Sequence, residues 1–331
     1  MECRHLGATD IAVSTVTMGC WAIVGDATWG PQDESDSISA IRAALDAGIT
    51  TFDTAEGYGA GYSEALLGKT LTGIRDRAVI ASKVSSDNLA PSDLKAACER
   101  SLKRLATDYI DLYQIHWPSR RIPLSETLGA LEELKAQGKI RAIGVCNFGP
   151  LDLDDLTAAG RAESNQLPYN LLFRAIEFEL QAQCAVNDMS ILCYCPLAQG
   201  LLTGKFSSAD EVPLGRARTR HFSRLRAQTR HGEEGHEEET FEAVNRIRGI
   251  CDELGEPMER VTLAWLLHQP AVTTVIAGIR NAEQARRNAA AGDLKLSGDV
   301  VSQLCLATDS LKIALGSNPD MWQTATQSRF R

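Results

Sequence analysis

Eight short runs rich in β-branched residues recur along the chain, separated by stretches of helical periodicity, and this alternation limits the fold more than any other feature. The runs are VSTVTMG (13–19), ITTFD (49–53), AVIASK (78–83), YIDLYQIH (109–116), IRAIGVC (140–146), ESNQL (163–167), SILCYC (190–195) and VTTVIAG (272–278). In ESDSISAIRAALDAG, Ile38, Ile41 and Leu45 recur at helical spacing and Gly48 stops the chain. PSDLKAACERSLKRL opens on proline and acid and closes on basic residues, as the helix dipole favours. LSETLGALEELKAQGK and RNAEQARRNAAAG read the same way. Eight parallel strands, each followed by a helix, close most simply into a (β/α)8 TIM barrel, because closure removes sheet edges while helices cover the outer face. An open doubly wound sheet is the alternative.

Three additions interrupt the repeat. CRHLGATDIAVS reads as an N-terminal hairpin, turning at Gly7 to Asp10, that plugs the barrel bottom. After the seventh strand, GKFSSADEVPLGRARTRHFSRLRAQTRHGEEGHEEET carries a basic block and then an acidic one, which predicts a long, mobile, charged loop over the active face. Extra helices are expected at ETFEAVNRIRGICDELG, ahead of EPMERVTLAWLLHQ, and at SGDVVSQLCLATDSL. The length of 331 residues would allow two domains, but no linker divides the chain, so a single domain over 1–331 is expected.

A formal charge of −9 argues against nucleic acid or an anionic membrane as partner, while the arginines between Arg216 and Arg230 suit a small anionic ligand. Nine cysteines occur without a CxxC pair, and Cys193 and Cys195 are poorly spaced for a disulfide, which reads as reduced thiols in a cytoplasmic protein. No stretch reaches the ~18 apolar residues of a spanning helix. His231 and His236 among glutamates are a weak metal signal, and no metal site is expected.

In such a barrel the C-terminal strand ends share one face. Those ends carry Asp53, Lys83, His116, Cys146 with Asn147, Gln166, Tyr194, and Gly278 with Arg280. A buried acid and a buried lysine are each costly alone and compensate one another as a pair. Tyr58, five residues beyond Asp53, can fold back over the barrel mouth beside them.

The segments MGCWAI, TFDTAEGYGAGYSEALLGK, ASK, DYIDLYQIHWP, IRAIGVCNF, NQLPYN, YCPLAQGLLTGK and VIAGIRNAEQARRN lie in order on successive strands. Together they make the chain resemble the aldo-keto reductase family, in its bacterial form, over nearly its whole length. The resemblance implies an NADP(H)-dependent oxidoreductase that interconverts a carbonyl (aldehyde, ketone or aldose) and an alcohol. It places the family's catalytic tetrad on Asp53, Tyr58, Lys83 and His116. Tyr58 is then the acid/base, Lys83 draws its pKa from ~10 towards neutrality, Asp53 holds the lysine, and His116 orients the carbonyl. Tyr62 packs where the next helix begins.

The same resemblance implies that Asn147, Gln166 and, weakly through its thiol, Cys146 hold the carboxamide, and that Tyr194 stacks on the nicotinamide. Cys20, Trp21 and Asp53 join the cofactor set. Cys195, Pro196, Leu197, Ala198, Gln199 and Gly200 pass the pyrophosphate, with Lys205 as a cation. Gly278, Arg280, Gln284 and Asn288 receive the adenosine phosphate at a helix start, where Arg280 favours NADP(H) over NAD(H). Trp21, Tyr58, His116 and Trp117 line the substrate side, with the tail around Trp322. No GxGxxG follows the first strand, so no Rossmann site is expected. The implied partner is a small carbonyl or alcohol, with no nucleic acid, no membrane and room for a homo-oligomer. Two competitors are a Schiff-base role for Lys83, which a paired carboxylate opposes, and a non-catalytic cofactor sensor like the potassium channel β subunits.

Overall fold

A computed structural model describes all residues, 1–331. A two-stranded antiparallel hairpin, β1 (Cys3–His5) and β2 (Ala12–Ser14), precedes eight parallel strands that close into a barrel. These are β3 (Val16–Gly19), β4 (Thr51–Asp53), β5 (Val79–Val84), β6 (Ile110–Ile115), β7 (Ile140–Cys146), β8 (Ser164–Pro168), β9 (Ser190–Tyr194) and β10 (Val272–Gly278). They pair in chain order, and β10 closes on β3. The chain is a (β/α)8 barrel, as the alternation of runs predicts.

The helices that cover the barrel are α1 (Glu34–Asp46), α2 (Tyr62–Leu71), α3 (Pro91–Leu105), α4 (Leu124–Ala136), α5 (Pro150–Ala159), α6 (Leu180–Val186), α8 (Met258–Leu267) and α9 (Ala282–Ala291). Two lie outside the repeat, α7 (Glu237–Leu254) before α8 and α10 (Gly298–Leu315) after α9. None is long and apolar enough to cross a membrane.

The hairpin seals the floor. Leu6, Ile11 and Val13 are buried against Ala81, Leu112, Ala142, Leu192 and Ile276 of the barrel interior. Each such side chain contributes about 1.5–3 kcal/mol when fully buried. The expected strand 13–19 is in fact two. Residues up to Ser14 belong to the hairpin and those from Val16 to the barrel, and the Ser14 hydroxyl fastens the joint by donating to the Val16 carbonyl and accepting from the Thr51 amide.

The segment after β9 is not the loose charged loop its composition suggests. Arg220 is buried, paired with Glu233 and donating to the Leu315 and Asn318 carbonyls. Arg226 bridges Asp210 and Glu237. His221 and His231 are buried and hydrogen-bonded at Leu172 and Thr219 respectively. These four side chains, which read as solvated, are consumed internally and fix the segment over the barrel mouth.

Candidate active site

Parallel register brings the polar strand ends together. Asp53 of β4 pairs with Ala81 of β5, so Lys83 stands two residues nearer the mouth, beside Gln114 of β6. The Lys83 ammonium is fully buried and donates to Asp53 Oδ1 at 2.5 Å, the Thr54 carbonyl at 2.9 Å and the Tyr58 hydroxyl at 3.1 Å. Three acceptors for three N–H groups satisfy a cation that burial would otherwise forbid. Tyr58 reaches this position on the turn 57–61, where Gly61 adopts φ +93° and lies so close to Arg104 that a Cβ would fall 2.5 Å from its Cδ. Only glycine lets the turn fold this tightly.

The four expected residues meet at one point. His116 lies edge-on to the Tyr58 ring at 5.8 Å, and Trp21 covers it at 6.1 Å with the planes 22° apart. Behind them Gln166 donates to the second Asp53 oxygen at 2.7 Å, and Gln114 approaches the same oxygen at 3.5 Å. Gln114, absent from the sequence-level set, thus joins Asp53, Gln166 and Cys146 inside the barrel. Its signal was its position two residues before His116 on an inward-facing strand site.

Burial governs the electrostatics. It pushes the Tyr58 phenol up to about 12, outweighing the downward pull of the Lys83 ammonium. This corrects the expected near-neutral tyrosine: the phenol is firmly protonated at neutral pH. Burial alone would depress Lys83, but the Asp53 carboxylate overrides it and the ammonium is held well above its usual range. Burial, helped by the Lys83 charge, lowers His116 to about 3, so its imidazole is neutral.

A cavity of about 940 Å³ opens above this cluster. Its lining includes Trp21, Tyr58, His116, Trp117, Asn147, Gln166, Tyr194, Cys195, Pro196, Leu197, Gln199, Gly200, Lys205, Gly278, Arg280, Gln284 and Asn288, residues that the family resemblance assigns to cofactor or substrate. Cys20, Cys146 and Ala198 do not line it. Cys20 is buried with its thiol towards the Met18 carbonyl, Cys146 faces Gln114 at 3.5 Å, and Ala198 is buried in the core. The alternating side-chain direction of a strand turns Cys146 into the barrel, and its thiol is therefore spent there.

Arg230, the end of the basic block, and Gln323, in the tail around Trp322, line it too, whereas Trp29, Gln228 and Arg329 escaped sequence reasoning. Trp29 meets Trp21 edge-on at 5.4 Å. Arg329 spreads over the Trp117 ring at 3.8 Å while paired with the buried Asp320. Tyr194 donates to Asn147 Oδ1 at 2.9 Å, and its ring lies parallel to that of Trp322 at 6.1 Å.

Two features mark the cleft as built for a ligand. Asn147, Cys195, Ala198 and Gln199 hold left-handed φ of 46–62°, a conformation costing roughly 1–2 kcal/mol per non-glycine residue. Such strain gathers at functional sites. Buried polar atoms of Trp29, Gln199, Arg216, Arg218 and Trp322, all lining residues, also lack any hydrogen-bond partner. Arg216 is depressed by burial and by neighbouring Arg280, and Lys205 by burial and by Arg216. Adjacent cations without an anion between them call for one from outside.

Residues 15–306 match the model of the Aldo/keto reductase family. The chain is 37% identical over 295 residues to Aldo-keto reductase YhdN of Bacillus subtilis, covering 86% of each. It is 33% identical to the NADH-specific methylglyoxal reductase of Escherichia coli, covering 88% of this chain and 94% of that one. Among solved structures, an aldo-keto reductase from Klebsiella pneumoniae in complex with NADPH superposes with a TM-score of 0.73 at 32% identity, over 93% of this chain and 95% of the other.

Proposed function

The chain belongs to the aldo/keto reductase family, and on that premise we propose that it is an NADP(H)-dependent oxidoreductase, a single domain over 1–331, that interconverts a small carbonyl compound and its alcohol. The observation that carries this reading is the Lys83 ammonium bonded to both Asp53 and Tyr58 on the floor of a cleft edged with orphaned donors. When bound, NADPH supplies a hydride to the carbonyl carbon. Tyr58 donates its Oη–H proton to the carbonyl oxygen, so that negative charge never accumulates there. The tyrosinate left behind rests beside Lys83, which Asp53 keeps charged. The neutral imidazole of His116 hydrogen-bonds the carbonyl and fixes its direction. Reversal of these steps, with tyrosinate as base, oxidises the alcohol.

The cleft fits the cofactor in its chemistry. Gln166 keeps its amide oxygen free while its nitrogen is fixed on Asp53, and Asn147 has one N–H to spare beyond the His116 carbonyl, so both can meet a carboxamide. Tyr194 supports the nicotinamide ring. Lys205, Arg216 and Arg218 answer the pyrophosphate, and the start of α9, with Arg280, Gln284 and Asn288, receives the adenosine end. A charged, carboxylate-paired Lys83 is unsuited to Schiff-base chemistry, which needs a free amine.

The test is NADPH consumption across a panel of aldehydes, ketones and aldoses. Turnover on at least one class, lowered roughly 10²–10⁴-fold in Tyr58→Phe, is expected. Tight cofactor binding with no turnover on any of them would instead make the protein a nicotinamide sensor.

A further inference from the structure

Arg280, assigned above to the adenosine phosphate, is already occupied. A guanidinium has five N–H groups. In this structure Nε donates to Gln32 Oε1 at 2.7 Å, one Nη donates to the Trp29 carbonyl at 2.8 Å, and the other donates to the Gly30 carbonyl at 3.3 Å and to the Pro31 carbonyl. Four protein acceptors from 29–32 therefore hold it, and the bidentate fork that would grip a phosphate is spent on the chain itself.

Gln32 is the hub of this clasp. Besides accepting from Arg280, its amide nitrogen donates to the Arg280 carbonyl at 2.8 Å and to the Ser37 hydroxyl at 3.1 Å, tying the loop to the approach to α9 and to the first turn of α1. The Arg280 amide is taken by Gln284 Oε1 at 2.8 Å, and the Gln284 amide by the Asn281 side chain at 2.9 Å. A side groove of about 260 Å³ at this point is lined by Gln32, Arg280, Asn281 and Gln284 together with Asp33 and Asp36. Acidic groups there repel a phosphate and accept from ribose hydroxyls.

We propose that Gln32 is a specificity-determining residue, which restrains the preference for NADPH over NADH by competing with the 2′-phosphate for the Arg280 guanidinium. The phosphate must displace the clasp before Arg280 can grip it, whereas NADH needs no such exchange. The proposal rests on the reading of Arg280 as the 2′-phosphate contact. It also explains why four acceptors converge on a cation that the family resemblance assigns to an anion.

The experiment measures binding of NADP⁺ and NAD⁺ by quenching of intrinsic tryptophan fluorescence, with no turnover involved, since Trp21 and Trp29 line the cleft. Gln32→Leu removes the side-chain competitor and should raise the NADP⁺:NAD⁺ affinity ratio about fivefold, the worth of one modest hydrogen bond. Gln32→Glu tightens the clasp with a carboxylate and should lower the ratio by a similar factor. Arg280→Met serves as the reference and should collapse the ratio. If Arg280→Met lowers it while both Gln32 variants leave it unchanged, the competition is overturned and the Arg280 contact stands. If Gln32→Leu lowers it, Gln32 presents Arg280 to the phosphate instead of withholding it, and the proposal is overturned. If Arg280→Met leaves the ratio unchanged, the contact itself is wrong, and the proposal falls with it.

Discussion

Removing the Tyr58 hydroxyl separates chemistry from architecture more cleanly than any other change at this site. Lys83 would keep Asp53 and the Thr54 carbonyl and lose one acceptor, so Tyr58→Phe should cost only about 1 kcal/mol of stability. Lys83→Met, by contrast, would strand a buried carboxylate at a cost of about 3–5 kcal/mol and confound activity with folding. The proton donor itself is worth roughly 10²–10⁴ in rate. At 1.36 kcal/mol per tenfold, kcat should fall by an amount equivalent to about 2.7–5.4 kcal/mol. Stopped-flow loss of NADPH absorbance would give kcat, tryptophan quenching the cofactor affinity, and urea unfolding the stability. The phenyl ring keeps its place under Trp21, so affinity should change less than about threefold. Turnover within about tenfold of the parent, with intact folding and binding, would show that another group delivers the proton.

Four further outcomes follow from the structure. Because burial holds Tyr58 near 12, the rate of carbonyl reduction should show no fall from tyrosine ionisation through neutral pH, while alcohol oxidation should rise with pH; a reduction profile that drops near neutrality would contradict this. His221, lowered to about 4 by burial, binds its proton more readily when unfolded, so its contribution is complete above the unfolded value of ~6.5 and is lost as pH falls through 4. Stability should decline by about 1.4 kcal/mol per pH unit in that window from this group, and His221→Gln should flatten the urea midpoint against pH. At Gly68 a Cβ would lie 2.5 Å from the Leu105 backbone, so Gly68→Ala should force α2 from α3 and cost about 1–3 kcal/mol in thermal or urea unfolding. Leu6→Ala should open a hole in the barrel floor worth about 2–5 kcal/mol, read by the same unfolding curves, with cofactor affinity preserved.

The barrel was legible because its strands are β-branched runs buried on both faces, and IRAIGVC and VTTVIAG coincide with β7 and β10 residue for residue. The split of VSTVTMG was hidden, since residues on both sides of Thr15 are buried and no change of polarity marks the junction. Asp53, Tyr58, Lys83 and His116 could be placed because each stands at or just past a strand end. Their ionisation could not, because Tyr58 is set by desolvation, a property of what packs around it. Cys146 and Arg280 show the same gap in two forms. The first depends on which way a strand side chain points, and the second on backbone carbonyls some 250 positions earlier, which no residue type announces.

Because Leu6, Ile11 and Val13 stopper the lower end, the reacting centre has one doorway, and everything that visits must share it. The groups assigned to the nicotinamide, Gln166 and Asn147, share one cavity with the indoles of Trp29 and Trp322, so dinucleotide and carbonyl compound would use the same opening. A shared doorway favours a queue in which the dinucleotide enters first and departs last.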